Sequence, residues 1–147
     1  MSRLLALAAV VAADVTLVDA AEPQAKAQDV RIKLTFNGKK VVVKMRDNAS
    51  SRDLVAQLPM SLKLSDYAGI EKIAYLPKKL STKGAAAGFD PAVGDVTYYA
   101  PWGNLAIFYK DYGFAKGLVP LGRIESGLEA LAALRADVTV RVERVSD

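Results

Sequence analysis

Seven aromatic side chains fall within seventeen residues, at Tyr98, Tyr99, Trp102, Phe108, Tyr109, Tyr112 and Phe114. Rings at that density either fill a core or wall a cleft for a small molecule or peptide. Strand alternation turns about half of such a set inward, so Phe108 and one of Tyr98 or Tyr99 are expected to pack inside. Trp102, Tyr109 and Tyr112 stand at the edges of connections, where an amphipathic ring often lines a binding site. Lys78, Lys79 and Lys83 lie in or beside a long connection and could hold an anion. A solvated loop face is the simpler account of them.

The missing residue types narrow the chemistry further. With no histidine and no cysteine in 147 residues, there is no imidazole base, Ser-His-Asp triad, thiol nucleophile or His- or thiolate-held metal. Catalysis would have to run on carboxylates, Lys, Tyr, Arg or a hydrogen-bond array. No metal and no other cofactor is expected. The run Gly84-Ala85-Ala86-Ala87-Gly88 lacks the Lys-Ser/Thr ending and following helix of a phosphate-binding loop. Asp66 with Glu71, and Asp90 with Asp95, flank turns and read as turn chemistry.

These side chains need elements to carry them. Residues 30–36 alternate apolar and polar, the mark of a half-buried strand. Asn37-Gly38 then supplies the two positive-φ positions of a tight hairpin turn, and residues 41–45 return. Residues 47–58 are expected as a short helix capped by Asn48 or Ser50, with Leu54, Val55 and Leu58 on one face, stopped by Pro59. Further strands are expected at 60–64, 71–76, 96–99, 105–109, 118–124 and 138–145, and a second helix at 127–134 capped by Ser126. Residues 78–93 and 110–117 are long loops, the kind of segment that carries function on a scaffold. About eight short strands with two short helices make the class mainly β, a closed barrel or a sandwich.

A composition of 52% hydrophobic and 24% charged residues is that of one globular domain. The net charge of +4 is scattered over small clusters, Lys39-Lys40, Lys78-Lys79 and Arg141 with Arg144. Such scatter speaks to solubility, and no nucleic-acid partner is expected. At the N-terminus Arg3 precedes an apolar run of ten residues, 4–13, too short to span a bilayer. Val18-Asp19-Ala20 then offers a small-x-small cleavage pattern. The expected organisation is a signal peptide at 1–21, a flexible leader at 22–28 and one domain at 29–147. The mature protein would be periplasmic or secreted, with no stable membrane span after signal cleavage.

Residues 118–131, LVPLGRIESGLEAL, resemble the cyclophilin segment in which a strand ends in Gly-Lys-Val and a short Glu-Gly-Met turn leads into the last helix. Gly122-Arg123-Ile124 and Gly127-Leu128 stand in those places. Residues 103–108, Gly-Asn-Leu-Ala-Ile-Phe, are similar to the family's Gly-Ser-Gln-Phe-Phe-Ile strand. Residues 94–109 are similar to the Gly-Asp…Tyr-Tyr/Trp…Leu-Ala-Ile-Phe-Tyr signature of bacterial cyclophilin-like proteins. The resemblance covers residues 29–147 and implies a closed cyclophilin-like barrel.

It also implies where a prolyl isomerase keeps its working groups, and this chain departs there. The resemblance sets Leu105 at the glutamine and Ile107 at the following pocket phenylalanine. It puts the pocket histidine near Leu118 and the pocket tryptophan around residues 112–114. The counterpart of the Phe-His-Arg strand, residues 71–76, has no arginine. An arginine aimed at the prolyl amide stabilises the twisted bond, and its loss removes that help. The expectation is a non-catalytic binding or accessory domain for an unknown small molecule or peptide. Its cleft would draw on Trp102, Asn104, Leu105, Ile107, Tyr109, Tyr112, Phe114, Lys78 and Lys79, between the 78–93 loop and residues 102–114. A divergent peptidyl-prolyl isomerase, or another enzyme using Tyr and Lys on the same cleft, is the alternative. A structural partner protein of the envelope is a third class.

Overall fold

In the computed structural model, which describes residues 29–146, the opening alternation folds as a hairpin. β1 (Arg31–Phe36) buries Ile32, Leu34 and Phe36. Asn37 and Gly38 take φ values of 49° and 70°, and β2 (Lys39–Met45) returns along β1. The expected signal peptide at 1–21 and leader at 22–28 lie outside the described residues.

Asn48 caps α1 (Ala49–Ala56), its side-chain oxygen accepting from the Ser51 N–H at 2.8 Å. Leu54 is the buried anchor of that helix. β3 (Met60–Tyr67) and β4 (Glu71–Tyr75) form a second hairpin. Its turn holds Ala68 and Gly69 at φ 55° and 67°. β5 (Gly88–Phe89), β6 (Asp95–Tyr99), β7 (Asn104–Phe108), β8 (Ala115–Lys116) and β9 (Leu118–Ser126) follow, then α2 (Leu128–Ala132) and β10 (Val138–Arg144).

Eight of these strands close a barrel in the order β1-β10-β3-β4-β7-β6-β9-β2. Every pairing in it is antiparallel. Closure decides between the two all-β architectures and leaves no open edge in the barrel. Its interior is packed with aliphatic side chains such as Leu34, Val43, Leu64, Val140 and Leu121, together with Tyr98. Among the described residues no helix is long and apolar enough to cross a membrane.

Two local expectations change. The loops at 78–93 and 110–117 are not independent, because β5 and β8 pair as a two-stranded ribbon, Gly88 with Lys116 and Phe89 with Ala115. Gly88 permits this approach: a Cβ there would lie 2.5 Å from the Ala115 carbonyl oxygen. The N-cap of α2 is Gly127, not Ser126, which still belongs to β9. Gly127 takes φ 92° and passes so close to β2 that a Cβ would sit 2.5 Å from the Lys40 carbonyl oxygen.

Candidate functional site

β4, β7, β6 and β9 make one wall of the barrel, and strand alternation gives that wall two faces. Ala74, Val96, Tyr98, Leu105, Ile107 and Val119 point inward and join the barrel core. Ile73, Ala106, Phe108 and Leu118 point outward and form a second, smaller cluster of buried residues. Tyr99, Ile70, Phe89 and Ala115 pack against it.

Above this outer cluster lies a hollow of about 200 Å³. Phe108 and Leu118 are its floor, and Tyr67, Tyr99, Trp102 and Tyr112 are its aromatic walls. Trp102 stands edge-to-face with both tyrosines beside it, 5.8 Å and 80° from Tyr67, 5.4 Å and 72° from Tyr99. Tyr112 tilts over Phe108 at 6.0 Å. Tyr67, Trp102 and Tyr112 remain 44%, 51% and 59% exposed. Among the described residues the one charged side chain lining the hollow is Glu71. Burial, and then the charge of Asp66, raise its carboxyl above the ordinary value. Among the described residues Glu71 belongs to no ion pair.

The next residue of β4 points the other way. Lys72 is 3% exposed and reaches the segment that follows α2, where its ammonium donates to the Leu134 carbonyl at 3.0 Å. It also pairs with Asp66 at 3.0 Å and lies 5.1 Å from the centre of the Tyr109 ring. The Tyr109 hydroxyl donates to Asp66 Oδ1 at 2.5 Å, and the Gly69 N–H donates to Oδ2 at 3.0 Å. Those contacts, the Tyr109 hydroxyl first and then Lys72, hold the Asp66 carboxyl below its ordinary value. Burial, with the bond to Asp66, pushes the Tyr109 phenol up to about 12. Asp66 thus does the turn chemistry read from the sequence and also anchors a closed polar group.

The structure brings only some of the sequence-derived site residues together. Trp102 and Tyr112 line the hollow, as does Leu118, the position matched to the pocket histidine. Leu105 and Ile107 do not; their side chains are 3% and 1% exposed in the barrel core. Successive residues of a strand face opposite sides, and in β7 Ala106 and Phe108 are the outward pair. Asn104 is 1% exposed with its Nδ2 donating to the Leu105 carbonyl, and it does not reach the hollow. Tyr109 turns inward to Asp66. Phe114 lies over Gly88 of the ribbon.

Lys78 and Lys79 are exposed and also stand apart from the hollow. Their loop is drawn toward α1, where Ser81 N–H donates to Asp53 and Ser50 Oγ donates to the Ser81 carbonyl. Leu80 is buried beside Tyr98. The partner of residues 102–114 across the hollow is therefore the β3–β4 turn rather than the 78–93 loop. Tyr99, one of the seven clustered rings, also lines the hollow, whereas Tyr67, Ala68, Ile70, Glu71 and Ala115 are lining residues that the sequence did not single out. Their one sequence signal was the run of Tyr67 and Glu71 around a turn, which reads first as turn chemistry.

Two larger hollows differ in character. One of about 390 Å³ lies between β2, α1 and β10, with Arg46, Arg52, Arg144, Asp29 and Asp47 in its wall, and Arg52 already pairs with Asp47. Another of about 300 Å³ separates α1 from residues 83–89. Neither carries the ring density of the outer wall. Among the described residues no three acidic side chains gather as a metal site.

A family model described as the cyclophilin-like family matches residues 34–143. No curated protein matches the chain. The solution structure of a hypothetical protein from Archaeoglobus fulgidus is similar, with a TM-score of 0.59 at 20% sequence identity over 80% of this chain and 95% of that one. At that identity the likeness speaks to fold alone.

Proposed function

The chain belongs to the cyclophilin-like family, and on that premise we propose that it is a binding or accessory domain without isomerase activity, whose site is the outer aromatic hollow. One observation carries this reading: of the five large hydrophobic side chains exposed among the described residues, three converge on that hollow. Grouped exposed rings over an apolar floor cost solvation unless something covers them.

The charge at the hollow argues against amide isomerisation. Twisting a prolyl amide is helped by a donor aimed at it, whereas Glu71 can only accept once ionised. The nearest buried cation, Lys72, faces the opposite side of the wall and is held by Asp66 and Leu134. An isomerisation assay on a prolyl peptide is expected to show only the uncatalysed rate, and clear turnover at low enzyme concentration overturns the non-catalytic reading. NMR titration with small apolar and aromatic fragments is expected to shift amides of residues 67–71 and 112–118. A panel that leaves them all unmoved overturns the site.

We also infer export, on the charged start, apolar run and cleavage pattern of residues 1–21. The mature protein should begin near residue 21 or 22; recovery of periplasmic protein with Met1 intact refutes this.

A further inference from the structure

We propose that the ligand of the outer hollow is a small organic cation, an alkylated ammonium, with Glu71 as its counter-charge. The inference rests on the hollow being the binding site. Three features point to a cation. Four rings wall the hollow in different planes, Trp102 lying at 80° to Tyr67 and 72° to Tyr99 and Tyr112 standing apart over Phe108; aromatic surface is the apolar lining that a positive head group favours. Among the described residues the lining holds no Lys or Arg and one carboxylate. That carboxylate is partly desolvated with no ion-pair partner among the described residues, so an incoming cation supplies the pairing that the fold withholds.

Size and topology favour a free small molecule over a peptide. A volume of about 200 Å³ falls below the range of roughly 300–1,000 Å³ typical of drug-sized ligands. The four strands under the hollow are each paired on both sides, so they offer no edge for a peptide backbone to join.

The test is an NMR titration of the full chain with choline and with 3,3-dimethylbutan-1-ol, its uncharged carbon isostere. Choline is expected to shift the amides of Ala68, Glu71 and Ala115 and to bind at least about tenfold more tightly than the alcohol. Glu71→Gln should weaken choline about tenfold and leave the alcohol unchanged; Trp102→Ala should weaken choline roughly fivefold or more. Both substitutions alter partly exposed side chains, and an unchanged spectrum away from the hollow confirms the fold. Equal binding of the two probes overturns the cation class while the hollow stands as an apolar site. Binding of neither overturns the cation class, and if the apolar fragments fail as well, the site reading falls with it. A trimethyllysine peptide more than about tenfold tighter than choline overturns the small-ligand assignment in favour of a protein tail.

Discussion

Glu71 and Lys72 adjoin in β4 and, because successive residues of a strand point to opposite faces, they occupy different electrostatic settings. Lys72 is sealed inside the barrel end with a carboxylate, a carbonyl and an aromatic ring around its ammonium. Glu71 faces an aromatic hollow and has no ion-pair partner among the described residues. A buried charge held by a carboxylate and a carbonyl is kept in one arrangement and contributes to the fold. A half-buried charge without a partner works against the fold and favours a ligand. The difference separates structural polarity from functional polarity within a single dipeptide.

The comparison can be broken most forcefully at Lys72. Lys72→Met removes the cation from Asp66 and the donor from the Leu134 carbonyl and should cost about 2 kcal/mol, below the cost of breaking a fully buried pair because Asp66 is partly exposed and keeps its bonds to Tyr109 and Gly69. Urea denaturation measures it, and a loss under about 0.5 kcal/mol would place Lys72 among ordinary surface residues. Next in size is Tyr109→Phe, which removes one hydroxyl from Asp66 and should cost about 1 kcal/mol. The same variant sharpens the alkaline side. A phenol raised from 10.0 to about 12 in the fold stabilises below its unfolded value and loses that contribution as pH climbs through the folded one. The parent should therefore weaken between pH 10 and 12, and Tyr109→Phe should weaken less.

Smallest is Glu71→Gln, expected within about 0.5 kcal/mol of the parent, or above it, at neutral pH. The two carboxyls should also respond oppositely to acid. Asp66, lowered in the fold, stabilises above its unfolded value and loses that contribution as pH falls through the folded one. Glu71, raised in the fold, opposes folding while ionised and ceases to do so as pH falls. A carboxyl-detected NMR titration that placed Glu71 below Asp66 would remove the contrast altogether.

The barrel was legible because its strands announce themselves locally. The alternation of residues 30–36, the Asn37-Gly38 turn and the closing run at 138–145 each fix a strand from nearest neighbours alone, and β1, β2 and β10 follow them. The motif of residues 94–109 supplied the closure that periodicity leaves open. The hollow was only half legible. Trp102 and Tyr112 stood out as rings in connections, but Leu105 and Ile107 were assigned to the wrong face, since hydrophobic residues occupy both faces of β7 and no polar alternation marks the register. Glu71 escaped because its significance lies in what stands around it, Trp102 and Tyr112 in the connections on either side of β7. The tie between Gly88 and Lys116 escaped for the same reason: two residues per strand leave no periodic trace.

That ribbon has a mechanical corollary. It buckles two long straps together just before the chain enters β9, and Ala115, on one half of the buckle, is also part of the hollow's rim. Lengthening or shortening either strap would reset the aperture while the eight staves of the barrel stayed where they are, so the width of the mouth can be tuned separately from the vessel.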